Sequence, residues 1–368
     1  MNILFTKHNV TIHPYLKILG KSNDVVVFHH EQASVPVPEN CKECRVVYRP
    51  RFVTDVFHKF SISLMYPQYV WNIYAKIEKS FPDSIFISDI SHFIFAQTVY
   101  YKHRYPDTKL YVWSEARQWP KLWLSRWIMY GFWWYFKRNL KYVEKVFVFS
   151  NEGKKFFNTY APDATVEVFP PAIDTSVFSL DTHKEYLSSG VLRIIMNARY
   201  IPLKEHKTLF KAAKILQGTN VKFEISLIGR GGHLESDLKA CAQELGISKL
   251  IQWLEPVPSS ELQSIYSKHD VLVLPSNREA IGMVVPEAMA CGLATVTSTA
   301  VGANTYVEEG ETGFIFETGK AEHLADCLEL LTKPGEAQRM GKQAAQEIQK
   351  KYTIDVLGER MLCALKAE

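Results

Sequence analysis

Short β-branched and aromatic runs alternate with helix-period stretches along nearly the whole chain, and this alternation comes in two blocks. The first block offers strands at "NILFT", "DVVVFHH", "RVVY", "SIFIS", "KLYVW", "KVFVFS" and "TVEVFP". Helical stretches lie between most of them, for example residues 91–103 and 153–160. The second block offers "VLRIIMNAR", "KFEISLIG", "LIQWL", "DVLVLPS" and "ATVTST", with helices expected over 206–217, 234–245, 261–268 and 321–331. Strands that alternate with helices form parallel sheets covered on both faces. Two such blocks predict an α/β chain of two doubly wound, Rossmann-like domains. Ligands of such sheets bind at the carboxyl ends of the strands, and a ligand held by both domains would lie in a cleft between them.

The seam is expected at residues 169–190, "FPPAIDTSVFSLDTHKEYLSSG", where Pro170, Pro171 and a serine-rich tail carry no periodicity. The domain reading is therefore 1–172 for the first domain, 173–190 for a linker and 191–350 for the second. Residues 351–368 read as a terminal helix that packs back toward the first domain. A chain of 368 residues, 47% hydrophobic, is long enough for two cores. A formal net charge of +4 is too small to read as a nucleic-acid footprint, so no nucleic-acid partner is expected. Six scattered cysteines, with the single pair spacing "CKEC" (Cys41 and Cys44) and no second pair, read as loop thiols in a reducing compartment. The first residues enter a strand directly, and no uncharged apolar run reaches the length of a membrane span. The chain is expected in the cytoplasm, dissolved or bound to a membrane surface.

The chemistry gathers in the second block. "DVLVLPS" (270–276) reads as a buried strand, and "MVVPEAMAC" (283–291) as a helix. Glu279 is then on the loop leaving the strand and Glu287 in the first turns of the helix. A helix start presents free N–H groups and partial positive charge, which suits a phosphate. Carboxylates on either side would accept from hydroxyls. Arg199 and Lys204, in "NARYIPLKEHKTLFKAAKIL", follow another strand end, and two cations there suit a diphosphate. Taken alone they read as ordinary solvated loop charges. "LIGRGGHLES" holds Gly229, Gly231 and Gly232 at a strand-to-helix turn. These glycines permit close backbone approach, but the spacing is not Gly-x-Gly-x-x-Gly and does not support a nicotinamide cofactor. No cofactor is expected. The sequence has no Asp-x-Asp pair, so no metal ligand is assigned and the phosphate charge falls to cations and helix dipole.

These stretches together resemble the retaining GT-B glycosyltransferases of family four (glycosyl transferases group 1). "FVFSNEGKKFF" followed by "FPPAIDTSVF" resembles the family's end of the first domain, a serine-initiated helix and then a linker. "NARYIPLKEHKTLFKAA" resembles its Arg and Lys diphosphate loop, and "LIGRGGHLESDL" its Gly-x-Gly turn. "SNREAIGMVVPEAMACGLATVTSTAVGANTYVEEGETGFIF" resembles its Glu-x7-Glu segment and glycine-rich tail. The resemblance runs from about residue 146 to about residue 332. It implies a donor that is a nucleoside diphosphate sugar, a UDP- or GDP-sugar, and a hydroxyl acceptor on a lipid-linked or surface glycan. It implies that Glu279 faces the donor sugar, Glu287 binds the ribose hydroxyls, and the backbone of Ile281, Gly282, Met283 and Val284 holds the diphosphate. Arg199 and Lys204 would stabilise its departure, with Gly229 on the donor side.

The first block departs from that family. Many members carry a glycine-rich loop after the first strand, where this chain reads "TKHNVTIHPY". Many carry a histidine after the strand that reads "KLYVW" here, where this chain continues "SEA". His13, His92 and Glu115 are the acceptor-side candidates, each equally open to an ordinary structural role. A non-catalytic protein of the same fold, binding glycan or membrane, is the alternative.

Six of the eight tryptophans lie between Trp113 and Trp134. Trp119, Trp123 and Trp127 are spaced four apart, on one helical face. With Lys121, Arg126, Lys137, Arg138 and Lys141 nearby, they read as a helix lying in the lipid headgroup layer at the inner face of the cell membrane. A core helix with its aromatics turned inward is the other reading.

Overall fold

The computed structural model describes residues 1–5, 13–30, 36–46, 48–49, 69–70, 73–88, 93–116, 123–229 and 234–366. The chain divides into two compact units, Met1–Ala172 with Leu357–Glu368, and Ile173–Val356.

The first unit is built on strands β1 (Asn2–Phe5), β2 (Asp24–His30) and β3 (Lys42–Val46), then β4 (Tyr48–Arg49) and β5 (Tyr69–Val70). Strands β6 (Ser84–Ser88), β7 (Lys109–Ser114), β8 (Lys145–Val148) and β9 (Val166–Val168) complete it. Seven of these form a parallel sheet in the order β3-β2-β1-β6-β7-β8-β9, while β4 and β5 pair antiparallel by themselves. The order reverses at β1, which is the doubly wound pattern. Two sequence expectations need correction here. The run "RVVY" was too far along the chain, because β3 begins at Lys42 and extends a ladder on β2 from Val26↔Lys42 to His30↔Val46. Cys44 therefore belongs to a strand and not to a loop. Pairing with a neighbour overrode local strand propensity.

This core is aromatic. Phe5, Phe86, Tyr111 and Phe147 stack along one face of the sheet, with Phe5–Phe86 at 4.6 Å and Phe86–Tyr111 at 4.9 Å between ring centroids. The helix Trp123–Arg138 buries Met129, Trp133 and Phe136, spaced four and three apart, as an inward stripe. Trp133 packs on Phe156 and Phe157, and its indole N–H donates to Tyr160 O at 3.1 Å. The helix Asn151–Tyr160 starts at Ser150, whose hydroxyl accepts from the Gly153 N–H at 3.2 Å, an N-cap. The terminal helix Ile354–Lys366 belongs to this unit from Leu357 on, with Arg360 bonded to the Glu167 carboxylate and to Val168 O.

The second unit contains β10 (Leu192–Asn197), β11 (Phe223–Ile228), β12 (Ile251–Leu254), β13 (Val271–Leu274), β14 (Ala294–Ser298) and β15 (Gly313–Phe316). They form one parallel sheet in the order β12-β11-β10-β13-β14-β15. Counted within the unit this is 3-2-1-4-5-6, the dinucleotide-fold order, with its switch between β10 and β13. The residues before β10 are tied into this unit. Lys184 Nζ donates to Tyr266 O and Ser267 O, at the carboxyl end of the helix Ser259–Tyr266, and Tyr186 OH donates to Gly292 O. Arg193 pairs with the fully buried Asp270 at 2.7 Å, and the Leu187 N–H reaches the same carboxylate. Strand β15 and the helix Glu336–Lys351 are additions to the sequence reading.

Candidate functional site

At a switch point the loops leaving two adjacent strands diverge, so a crevice opens at their carboxyl ends. In the second unit these are the loops after β10 and β13, and they carry the charged residues singled out in the sequence.

After β10, Ala198 is fixed by its N–H to Ile228 O at 2.9 Å, and Arg199 is exposed. Gly229, at the end of β11, makes this possible. A Cβ there would stand 2.3 Å from Ala198 O. Pro202–Lys204 form a 3-10 turn, and Glu205 then adopts φ +53°, a left-handed conformation rare for a residue with a side chain. Two hydrogen bonds hold it. The Glu205 carboxylate accepts from Asn277 Nδ2 at 2.7 Å and from Thr208 Oγ1 at 3.1 Å. The Asn277 N–H in turn donates to Leu203 O at 3.0 Å. The turn after β10 is thus laced to the loop after β13.

The lacing puts the Lys204 ammonium on the Glu279 carboxylate as a mostly buried ion pair. Glu279 is itself anchored by its backbone. Its N–H donates to Ala300 O at 3.1 Å, and its carbonyl accepts from the Gly302 N–H at 2.9 Å. The approach is close enough that a Cβ on Gly302 would stand 1.9 Å from Ala280 O. Gly282 follows with φ +85°, which only glycine adopts readily, and turns the chain into the helix Val284–Ala290. Glu287 stands in the first turn of that helix. Burial pushes its carboxyl up to about 7, and among the described residues no cation offsets the desolvation. The Tyr266 hydroxyl is close by: its own pKa is raised by burial and then by the charge of Glu287, and it accepts a bond from Asn197 Nδ2 at 3.1 Å. His206, the first residue of the helix His206–Gln217, is buried against Tyr200, and burial pushes it down to about 4, so it is neutral. Its Nε2 has no hydrogen-bond partner.

Sequence reasoning named Lys204, Glu279, Glu287 and Gly282, and the fold gathers them at the carboxyl end of one sheet. Arg199 is exposed on the same loop as Lys204. Ile281, Met283 and Val284 lead into the helix start. Glu205 and Asn277, which hold the two loops together, were missed. Nothing in a Glu-His pair after a lysine signals a left-handed residue. The first-unit residues are less assembled. Glu115 is exposed just past β7. His13 opens the helix His13–Ser22, with its side chain outside the described residues, and His92, Gly231, Gly232 and Trp119 lie outside them altogether. Trp123 begins its helix, its side chain likewise outside, and Trp127 is exposed. Among the described residues no group of three or more His, Cys, Asp or Glu is placed to hold a metal ion.

Residues 181–347 match the family model for glycosyl transferases group 1. A D-inositol 3-phosphate glycosyltransferase of Arthrobacter sp. (strain FB24) is 29% identical over 193 residues, 50% of this chain and 46% of that protein. A GDP-mannose-dependent alpha-(1-6)-phosphatidylinositol monomannoside mannosyltransferase of Mycolicibacterium smegmatis is 26% identical over 209 residues, 53% of this chain and 54% of its own length. The chain thus spans about half the length of the curated relatives it matches. Among solved structures, sucrose-phosphate synthase of Thermosynechococcus elongatus aligns with a TM-score of 0.73 at 16% identity, covering 100% of this chain and 98% of that one. Anabaena HepE in complex with UDP aligns with a TM-score of 0.73 at 14% identity, over 100% of both chains. The fold is α/β, two parallel-sheet Rossmann-like domains of the GT-B type. Residues 181–347 of the second unit are thus similar to the glycosyl transferases group 1.

Proposed function

We propose that this protein is a retaining glycosyltransferase that moves a sugar from a nucleoside diphosphate sugar to a hydroxyl of a lipid-linked or surface-glycan acceptor. The observation that carries the reading is the pairing of Lys204 with Glu279 at the sheet's switch point, eight residues before the buried carboxyl of Glu287. A diphosphate leaving group gains negative charge as the glycosidic bond breaks. Cations already fixed in place stabilise that charge without reorganising. In this reading Lys204 and Arg199 face the diphosphate, with the backbone N–H groups from Ile281 to Val284. Glu279 holds Lys204 and meets the donor sugar. Glu287 accepts from paired ribose hydroxyls, which suits a buried carboxylate that no cation among the described residues neutralises. Gly229 keeps the β11 turn close to the donor side. The phosphate charge is balanced by these groups, so the reaction is independent of added metal. The donor is a UDP- or GDP-sugar, in line with the names of the mannosyltransferase relative and the UDP-bound structural neighbour. The acceptor side falls to the first unit, with His13, His92 and Glu115 as its candidates. The work is done in the cytoplasm, at the inner face of the cell membrane.

A thermal-shift panel of UDP, GDP, ADP and dTDP tests the reading. A ligand that binds only the folded state raises its apparent stability. One nucleotide should raise the melting temperature of the wild type and fail to do so in Glu287→Ala. No shift with any of the four would overturn the donor assignment.

A further inference from the structure

The helix Trp123–Arg138 has two faces, and its outward one is unusual. Trp127 is 70% exposed, Tyr130 48% and Trp134 63%. They are spaced three and four apart, on one side of the helix, opposite the buried Met129, Trp133 and Phe136. Gly131 lies between them with open space where a side chain would be. Leaving three large rings of one helix face in water forfeits apolar burial. The charge of the same helix is one-sided. Its sixteen residues hold Arg126, Lys137 and Arg138 and no carboxylate. All three cations are exposed, and the Arg138 guanidinium lies over the Trp134 ring at 5.7 Å. Lys141, just past the helix, is exposed too.

Tryptophan and tyrosine combine an apolar body with a polar tip, and they favour the boundary between hydrocarbon and water. Cations beside them favour an anionic surface. Among the described residues no helix is long and apolar enough to cross a membrane, so the contact this face can make is a surface one. We propose that the face carrying Trp127, Tyr130 and Trp134, ringed by Arg126, Lys137 and Arg138, docks on an anionic lipid bilayer. The rings enter the headgroup layer and the cations pair with lipid phosphates. This rests on the reading that the protein works at a membrane and is independent of the sugar chemistry. This face includes Trp127; of its two companions in the sequence spacing, Trp119 and the side chain of Trp123 lie outside the described residues.

The test uses the full chain and two vesicle preparations, phosphatidylcholine alone and phosphatidylcholine with about one third phosphatidylglycerol. The wild type should sediment with the anionic vesicles in preference to the neutral ones, less so in high salt. The variant Trp127→Ser, Tyr130→Ser, Trp134→Ser should lose that binding by tenfold or more. It should keep its circular dichroism and its nucleotide-induced thermal shift, because the three rings are exposed. The pair Lys137→Glu, Arg138→Glu should lower binding to the anionic vesicles by roughly tenfold or more, with little effect on neutral ones. Wild-type protein that ignores anionic vesicles would overturn the membrane reading altogether. Binding that survives in a folded triple variant would place the anchor elsewhere. A wild-type dimer in light scattering that the triple variant abolishes, with no vesicle binding, would assign the face to a second copy of this chain.

Discussion

The two units pack by opposite means. The first fills its interior with rings: Phe28, Phe86, Phe95, Tyr101, Tyr111, Phe136, Phe147 and Phe157 are all essentially inaccessible. In the second, the buried positions are mostly aliphatic or alanine, with Tyr266 and Tyr306 as its largest fully buried side chains. The difference has consequences for precision. Rings hold elements apart at aromatic distances, near 5 to 6 Å between centroids in this protein. Alanine and glycine let backbones touch. Gly302 closes on Ala280, Gly229 on Ala198, and Gly313 on Thr295, each too tightly for a Cβ. Loops brought this near can exchange backbone hydrogen bonds, and the Lys204–Glu279 pair is held by such bonds. The lesson is that bulk builds a stable body, whereas the absence of side chains builds a site.

The sharpest way to break the comparison is inside the aromatic core. Trp133→Ala should destabilise the protein by about 3–5 kcal/mol, since it opens a cavity against Phe156 and Phe157. Chemical denaturation with tryptophan-independent detection measures it. A loss below 1 kcal/mol would mean that the rings pack loosely. Next in size is turnover. Arg199→Ala and Lys204→Ala should each lower kcat by roughly 10²–10³, about 2.7–4 kcal/mol, with the fold intact. Near-normal turnover of both variants at saturating donor would remove the cationic clamp.

Glu287→Ala should weaken nucleotide binding by about 1.5–3 kcal/mol, measured by calorimetry on a folded variant. The same carboxyl sharpens the comparison through pH. Its folded value, near 7, lies above its ordinary value of 4.5. Its contribution to stability is therefore fully present below about pH 4.5 and is lost as pH rises through about 7. The melting temperature of Glu287→Gln minus that of the wild type should rise between those limits, and a flat difference would contradict the burial of this group. Nucleotide hydroxyls favour the charged form, so binding by the wild type should strengthen over the same window. The smallest expected effect is none: activity should be unchanged in excess EDTA. Loss that magnesium or manganese restores would show that the fixed cations do not suffice.

Much of the second unit was legible because its signals are local. "DVLVLPS" has strand composition, "MVVPEAMAC" has helix formers, and Gly282 marks a turn. Placing Glu279 on the loop that leaves the strand and Glu287 on the helix needs no knowledge of distant contacts. Strand β15 was harder. "GFIF" is four residues long, and only pairing with β14 through Thr295↔Gly313 makes it a strand. The aromatic helix was ambiguous for a related reason. Its rings recur so densely that several stripes fit the sequence, and periodicity cannot choose among them. Burial of Trp133 on Phe156 and Phe157 fixed the rotation of the helix, and with it which tryptophans face out. The Glu205–Asn277 link joins residues 72 apart in sequence, and no spacing rule reaches that far.

The left-handed conformation of Glu205 also bears on how this protein tolerates change. A side chain in that region costs on the order of 1–2 kcal/mol, which glycine would avoid. Glycine would, however, lose the side-chain acceptor that Asn277 Nδ2 and Thr208 Oγ1 use. Substitution at this one position therefore sets robustness against readiness. A glycine would ease the backbone, yet let the lysine beside it wander from its partner.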